Sequence, residues 1–221
     1  MAKPFCVLNL KAYPNSFGAR AIELARAADE AARDTGVRMV VCAQAVDLRA
    51  VAGAVSIPVF AQHVDDKKPG AFTGSVTAEA ARDAGAKGTL VNHSEKKLAV
   101  EAVGSTVARC REAGILALCC APGVEESKRI AAFKPDFIAV EPPELIGSGI
   151  SVSTANPGIV SGSVEAVHSV ANIPVLCGAG ISSAVDFQKA VELGAEGVLL
   201  ASAFVNSKDP KRFLLDLASR V

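Results

Sequence analysis

Short apolar segments alternate with longer amphipathic segments along almost the whole chain. Each apolar segment is five or six residues long, is rich in Val, Ile, Leu or Cys and lacks polar alternation, which is typical of parallel strands buried on both faces. The eight segments are residues 5–10, 37–42, 58–62, 88–92, 115–120, 137–141, 173–177 and 197–201. We therefore predict eight strands of a parallel sheet.

The segments between these strands have the spacing of amphipathic helices. In residues 17–35, an apolar face that includes Ile22 and Leu24 lies opposite a charged face that includes Arg20 and Glu23. Similar segments cover residues 76–84, 95–113, 125–133, 157–171, 182–193 and 209–219. Several helical segments are followed by a glycine, which favours a left-handed C-cap: Gly36, Gly85, Gly114 and Gly194.

The regular alternation of strands and helices predicts an α/β fold. The first and eighth strands start at residues 5 and 197, so the seven intervals average about 27 residues, enough for one strand and one crossover helix. Eight such units that close on themselves form a (β/α)8 barrel, with the helices outside a parallel sheet. No Pro-, Gly- or Ser-rich linker interrupts the series, so we expect one domain over residues 1–221. An open, doubly wound sheet is the alternative, disfavoured because no Gly-x-Gly-x-x-Gly motif follows the first strand.

The composition excludes several classes of partner. The chain of 221 residues has 23 basic and 23 acidic side chains, so its formal net charge of zero does not favour nucleic acid or an anionic membrane. Aromatic residues make up 5%, too few to stack on bases, and the apolar runs are much shorter than the ~18 residues of a membrane helix. The N-terminus has no signal-peptide pattern, so we expect a cytoplasmic protein.

The six cysteines favour core thiols over a disulfide or zinc site. Five of them lie in the apolar strand segments, none forms a Cys-x-x-Cys motif, and the adjacent Cys119 and Cys120 would point to opposite faces of a strand. Cysteines in such positions usually act as small hydrophobic residues. We expect them to be reduced.

Polar residues at the ends of the first and fourth strands are candidates for chemistry, because active sites of such barrels lie at the carboxyl ends of the strands. Asn9 and Lys11 are two positions apart, so strand geometry would put both at the barrel mouth, although a lysine there could be a solvated boundary charge. His93 ends the fourth strand where a helix should begin, with Ser94 as N-cap and Glu95 in the first turn. The positive end of that helix would favour a neutral imidazole, or the ring could merely cap.

Glu141 ends the sixth strand and is the candidate base. A carboxylate at the end of an apolar strand is partly desolvated, which raises its pKa toward that of a working base. Residues 142–143 are a Pro-Pro pair, and residues 144–149 have a Gly-rich tip, a composition that fits a lid moving on hinges. Glu144 lies within that loop, so we interpret it as a hinge or surface residue. His63 and His168 are interpreted as packing residues.

The seventh and eighth strands end in small residues. The sequence Cys-Gly-Ala-Gly-Ile-Ser occupies positions 177–182, and Ala-Ser-Ala occupies 201–203. Loops after these two strands of a barrel often bind phosphate through backbone N–H groups, and small residues allow its close approach. Glycine is also common in ordinary turns, so the pair of loops is the stronger signal.

These residues together resemble the triosephosphate isomerase family, whose fold is the TIM barrel. The matching motifs are N-L-K at 9–11, G-A-F-T-G at 70–74, N-H-S-E-K-K at 92–97, V-E-P at 140–142, I-G-S-G at 146–149 and G-V-L-L-A-S at 197–202. Pro143-Glu144-Leu145 replaces the Trp-containing lid entry of bacterial and eukaryotic members, and Asn92 replaces the usual Gly. The short chain and this lid entry resemble the archaeal branch, which is typically tetrameric.

The resemblance implies an isomerase of glycolysis and gluconeogenesis that interconverts dihydroxyacetone phosphate and D-glyceraldehyde 3-phosphate through an enediolate. Glu141 would be the base, neutral His93 the electrophile, and Lys11, supported by Glu95, would offset the negative charge. The resemblance also implies that the substrate is contacted by Asn9, Lys11, Ile146, Gly147, Gly180, Ala201 and Ser202. No metal or organic cofactor is called for, and self-association as a homotetramer is expected in preference to a homodimer.

Two alternatives remain open at this point. One is a different barrel enzyme that acts on a phosphorylated small molecule, because phosphate loops recur among such barrels. The other is a catalytically silent phosphosugar-binding protein, which would be expected to lose the base or the electrophile while keeping the phosphate loops.

Overall fold

Eight parallel strands close into a barrel in the computed structural model, which describes residues 3–146 and 150–221. Each strand pairs with the next, and the last pairs with the first, so the sheet has no free edge. The strands are β1 (Phe5–Asn9), β2 (Arg38–Ala43), β3 (Val59–Ala61), β4 (Gly88–Val91), β5 (Leu116–Ala121), β6 (Phe137–Val140), β7 (Val175–Cys177) and β8 (Gly197–Leu200). The predicted (β/α)8 barrel is confirmed, and the open sheet is wrong.

Helices cover the outside of the barrel. Those described are α1 (Ala19–Thr35), α2 (Leu48–Ala52), α3 (Ala78–Asp83), α4 (Val100–Ala113), α5 (Val124–Ala131), α6 (Val152–Ala155), α7 (Pro157–His168), α8 (Ala184–Glu192), α9 (Ser202–Val205) and α10 (Pro210–Leu217). The sequence did not predict α2, α6 and α9, because a helix of four or five residues is too short to show a 3.6-residue period. None of the described helices is both long and apolar enough to cross a membrane.

Alternate residues of each strand pack on opposite sides of the sheet. On β1, Val7 packs inside the barrel with Leu90 and Leu176, whereas Leu8 packs outward against the helices with Leu24. Because both faces of each strand are buried, the strand sequences are continuous apolar runs without polar alternation. The residues at the carboxyl ends of the strands therefore follow segments that pack against the barrel interior on one face and against the helices on the other.

All six cysteines are free and buried. Cys119 packs outside the barrel and Cys120 inside it, on the opposite faces that strand alternation predicts. Burial raises the pKa of the Cys6 thiol to about 12, so this side chain is a neutral core group at physiological pH. The prediction of core thiols instead of a disulfide framework is confirmed.

The helix that should start at Glu95 begins later. Ser94–Lys96 form a single 3-10 turn, and α4 starts at Val100. The backbone is extended at Lys97 (ψ 140°), and the N–H of Leu98 donates to Asn92 Oδ1 at 3.0 Å. Because the Asn92 side chain accepts the Leu98 N–H, that group is not available for a helical hydrogen bond, and a continuous helix from Glu95 does not form.

Candidate active site

A cavity of about 330 Å3 opens at the carboxyl ends of the strands. Its size is at the lower end of the range for small-molecule sites. It is lined by most of the residues that the sequence suggested: Asn9, Lys11, His93, Glu141, Ile146, Gly180, Ala201 and Ser202. Gly147, also suggested, lies outside the described residues. Glu95 does not line this cavity but contacts two residues that do.

Glu141 lies directly after β6, and its side chain is buried at the floor of the cavity. Its backbone N–H donates to the carbonyl of Ala121 at 2.8 Å, which fixes the start of the side chain. Its Oε2 atom is buried without a hydrogen-bond partner among the described residues and is 3.7 Å from His93 Nε2. Burial raises the pKa of Glu141, against the opposing effects of His93, Cys120 and Lys11. Such a carboxylate is suited to accept a proton.

Two residues that shape the surroundings of Glu141 were not identified from the sequence. The thiol of Cys120 on β5 lies beside the Glu141 side chain and lowers the pKa of that carboxyl. At Gly178, an added Cβ would be 2.9 Å from Glu141 Cγ and 3.0 Å from Oε1, so glycine leaves the space that the carboxylate occupies. Strand alternation could have shown that Cys120 faces inward, but not which side chain it meets.

The ring of His93 is oriented by the turn that follows it. Nδ1 accepts the N–H of Glu95 at 3.2 Å, so in the neutral ring Nε2 carries the proton and points toward the cavity and Glu141. His93 itself caps the turn, and the prediction of Ser94 as N-cap is wrong. Since only a 3-10 turn follows, this hydrogen bond is a better reason for a neutral ring than the dipole of a full helix.

Lys11 reaches the cavity by a route that strand alternation did not predict. β1 ends at Asn9, and Lys11 has a left-handed backbone (φ 53°). Its N–H donates to Asn9 Oδ1 at 2.9 Å, and its carbonyl accepts from Gln62 Nε2 at 2.9 Å. The ammonium Nζ is 2.6 Å from Glu95 Oε1. The role of Gln62 was missed, because nothing local distinguishes it from any polar residue at a strand end.

The opposite wall of the cavity consists of small residues. Gly180 has a left-handed φ of 73°, and an added Cβ would lie 1.9 Å from the carbonyl oxygen of Ile150. Ala201 and Ser202 line the same wall at the start of α9. A side chain at Gly180 would therefore collide with the backbone of Ile150, and the small residues at 201–202 let a ligand approach the backbone closely.

A buried carboxylate holds the loop after β7. Asp186 Oδ2 accepts the N–H groups of Ser182 at 3.1 Å and Ser183 at 2.9 Å. Burial by itself would raise the pKa of Asp186, but hydrogen bonds from Ser183 and Ser182 lower it, so the group is ionised at neutral pH. The capping box of α8 thus also orders the Gly180 wall.

The remaining candidates, His63, His168 and Glu144, do not line the 330 Å3 cavity. His63 Nε2 is 3.2 Å from Asp65 Oδ1, and His168 is the last residue of α7. Glu144 is exposed in the 3-10 turn Pro143–Leu145. Among residues 3–146 and 150–221, no group of three or more His, Cys, Asp or Glu side chains is arranged to hold a metal ion.

Comparisons with known proteins agree on one family. The family model for triosephosphate isomerase matches residues 4–220. The chain is 50% identical over 219 residues to the triosephosphate isomerase of Methanothermobacter thermautotrophicus, covering 99% of this chain and 96% of that one. It is 49% identical over 222 residues to the enzyme of Methanothermus fervidus, covering 100% of both chains. These relatives confirm the archaeal resemblance.

A crystal structure of triosephosphate isomerase from Bartonella henselae has the same fold. It superposes with a TM-score of 0.77 and covers 99% of this chain and 100% of its own chain. Its sequence identity of 20% supports the fold alone.

Proposed function

The chain belongs to the triosephosphate isomerase family, and we propose that Glu141 is the base and neutral His93 the electrophile of its reaction. That reaction is the interconversion of dihydroxyacetone phosphate and D-glyceraldehyde 3-phosphate. The observation that carries the assignment is the buried Oε2 of Glu141, which has no hydrogen-bond partner among the described residues and is 3.7 Å from His93 Nε2 in the cavity that Lys11 also lines.

Glu141 would move the proton between the two carbons. It removes the proton from C1 of dihydroxyacetone phosphate, which leaves an enediolate, and returns a proton to C2. The raised pKa of Glu141 helps both steps, because a base whose pKa is close to the working pH can accept the proton and then release it.

His93 would act on the two oxygens. Nε2–H donates to the carbonyl oxygen and stabilises the negative charge that develops there, and the ring then moves a proton from one oxygen to the other. The hydrogen bond from the Glu95 N–H to Nδ1 supports this tautomer. A glutamate base with a neutral histidine is the established pattern for this enzyme.

Lys11 would offset the charge of the enediolate and of the phosphate. Its Nζ is 2.6 Å from Glu95 Oε1, and this ion pair keeps the ammonium at the cavity. Asn9 would donate a hydrogen bond to a substrate oxygen, and its Oδ1 fixes the Lys11 backbone. Preoriented charges of this kind stabilise a transition state more than mobile ones.

The phosphate would lie against the small-residue wall. Gly180, Ala201 and Ser202 line the cavity, and their backbone N–H groups would donate to the phosphate, with Ile146 and Gly147 contributing from the lid. An enediolate phosphate open to water can eliminate its phosphate group, so a closing lid would protect it.

The lid can be tested by product partition. Deletion of residues 146–149 should leave a folded barrel, because three of these four residues are glycine or serine, which contribute little to an apolar core. Isomerisation should fall while phosphate release per turnover rises. A deletion that slows isomerisation without more phosphate release would show that this loop is not the lid.

Triosephosphate isomerases act on triose phosphates and oligomerise, and we propose a homotetramer for this chain in preference to a homodimer. The loop of residues 67–74 is exposed, and Phe72 is 48% exposed at its tip, which favours contact with a second copy. A second cavity of about 320 Å3 beside Lys11 and Glu95 could receive such a tip. A monomeric mass by light scattering at micromolar concentration would disprove self-association, and Thr73→Arg should weaken it.

We also propose that the chain forms one domain and works in the cytoplasm. One closed barrel accounts for the strands from Phe5 to Leu200, which supports the first proposal. The six free, buried thiols are compatible with a reducing compartment, which supports the second.

A coupled assay with glyceraldehyde 3-phosphate tests the function directly. The purified chain should form dihydroxyacetone phosphate, and in D2O the product should carry deuterium at carbon, because Glu141 exchanges its proton with solvent. A different barrel enzyme would show no turnover of this substrate. A silent binding protein would bind inorganic phosphate without turnover.

A further inference from the structure

We propose that Asn92 is a positioning residue: its side chain extends the pairing of β4 with β5 by one step and thereby sets His93 relative to Glu141. This inference rests on the proposed roles of His93 and Glu141. It concerns a position at which the family usually has glycine, so it is specific to the residue that this chain carries.

The backbone at Asn92 turns the chain out of β4. Asn92 follows the last residue of the strand, is 3% exposed and has a left-handed φ of 62°. Asparagine and glycine are the residues that adopt this conformation most readily. Glycine would form this turn equally well, so the turn does not require the side-chain amide of Asn92.

The buried amide of Asn92 makes three hydrogen bonds. Nδ2 donates to the carbonyl of Cys120 at 3.0 Å and to Glu126 Oε1 at 2.9 Å. Oδ1 accepts the N–H of Leu98 at 3.0 Å. Glu126 is itself paired with Lys97 Nζ at 3.0 Å. One side chain thus joins the end of β4 to the end of β5, to α5 and to the segment before α4.

The bond to Cys120 continues the sheet beyond its last regular pair. The register of β4 and β5 ends with Val91 opposite Cys119. The next carbonyl of β5, that of Cys120, is bound by Asn92, and the carbonyl after it, that of Ala121, accepts the N–H of Glu141 at 2.8 Å. Two successive carbonyls of β5 therefore bind the site: that of Cys120 binds Asn92, the residue before the proposed electrophile, and that of Ala121 binds the backbone of Glu141, the proposed base.

The side chain of Cys120 strengthens this connection. Its thiol lies beside the Glu141 carboxylate and lowers the pKa of that group, so a displacement of Cys120 would move both the carbonyl that Asn92 binds and a neighbour of the base. His93 Nε2 and Glu141 Oε2 are only 3.7 Å apart, and a change of about 1 Å in such a geometry can cost about 100-fold in rate.

Asn92→Gly tests the proposal, because it keeps the backbone conformation and removes the three hydrogen bonds. We expect kcat for glyceraldehyde 3-phosphate to fall by about 10- to 100-fold, with KM changed by less than about threefold. Lys134→Gly is the matched control: it puts glycine at another position of positive φ (54°), in the loop between α5 and β6, and kcat should not change.

A second variant covers the case in which Asn92→Gly does not fold. Asn92→Asp keeps an acceptor for Leu98 but faces a carboxylate oxygen toward the Cys120 carbonyl and Glu126, so kcat should fall at least as far. Circular dichroism would verify folding of each variant.

A folded Asn92→Gly or Asn92→Asp enzyme with kcat within about twofold of the unchanged protein would overturn the proposal. A lower melting temperature with unchanged kcat would mean that Asn92 only stabilises the fold. If Glu141→Asp and His93→Gln were also fully active, the proposed function would fail instead, so the two failures are distinguishable.

Discussion

On one side of the cavity the functional groups are side chains, and on the other side they are backbone. The proposed acid–base side consists of Asn9, Lys11, His93 and Glu141, each at or just after the end of a strand and each with a defined hydrogen bond or ion pair. The proposed phosphate side consists of Gly180 together with Ala201 and Ser202 at the start of α9.

The two sides should therefore respond differently to substitution. A side chain that performs chemistry is sensitive to its own length and charge, because a small displacement of a reacting atom is costly. A backbone wall is sensitive to atoms that are added to it, because a Cβ takes the place of the ligand or collides with a neighbouring segment. The first kind of change should lower kcat, and the second should mainly raise KM.

The largest effect is expected for Glu141→Asp. The change withdraws the carboxylate by one methylene, about 1 Å, and kcat should fall by about 10²- to 10³-fold. The coupled assay with circular dichroism measures this loss in a protein shown to be folded. Near-unchanged kcat would remove Glu141 from the role of base.

His93→Gln should have the next largest effect. Glutamine can donate one hydrogen bond but cannot pass a proton between two oxygens, so kcat should fall by about 10²-fold with a much smaller change in KM. Nitrogen-15 NMR of the unchanged protein provides an independent check, because a proton on Nε2 alone is expected at pH 7. An imidazolium signal would contradict the assignment.

On the phosphate side, Gly180→Ala should raise KM by about tenfold and change kcat less. The added Cβ would be 1.9 Å from the backbone oxygen of Ile150, at a φ of 73°. Gly36→Ala is the matched control, since Gly36 has a φ of 72° and no heavy atom within 4 Å of the added Cβ. Equal KM changes in the two variants would show that backbone strain, and not the position of the wall, is responsible.

The smallest effect concerns stability and pH. Burial raises the pKa of Glu141, so the folded protein binds this proton more tightly than the unfolded chain does. The free energy of unfolding therefore falls as pH rises from the ordinary glutamate pKa through the folded one. Glu141→Gln should melt about 2–4 °C higher at pH 8, and this gain should disappear at acidic pH below the ordinary glutamate pKa. A gain that did not depend on pH would contradict this explanation.

The difference between the two sides of the cavity also explains which site residues could be proposed from the sequence. Glu141 was proposed because a carboxylate directly after an apolar strand is conspicuous, and the two small-residue loops were proposed from their composition and their place after the last two strands; residues of all three line the cavity. Cys120 and Gly178 were missed because each looks like an ordinary core or turn residue. Their importance depends on contact with Glu141, which no local pattern shows.

Two local expectations failed in their reasoning, and one of them also failed in its result. A helix was predicted from Glu95 because residues 95–113 have helical spacing, but the N–H of Leu98 is bonded to Asn92 Oδ1. Asn9 and Lys11 were expected at the barrel mouth by strand alternation; both line the cavity, but the strand ends before Lys11, which has a left-handed backbone (φ 53°). In both cases a side-chain hydrogen bond competes with regular backbone structure.

The eight strands, most of the helices, the closed barrel and the strand ends that carry polar residues could all be predicted from the amino-acid sequence. Hydrophobic periodicity encodes these features, because each element must bury its apolar face. The contacts that hold the site together could be seen only in the folded barrel. Its bonds join residues far apart in the chain, such as Lys11 to Glu95 across 84 positions and Asn92 to Cys120 across 28. Such pairs have no local signal, since their geometry exists only after the barrel has closed.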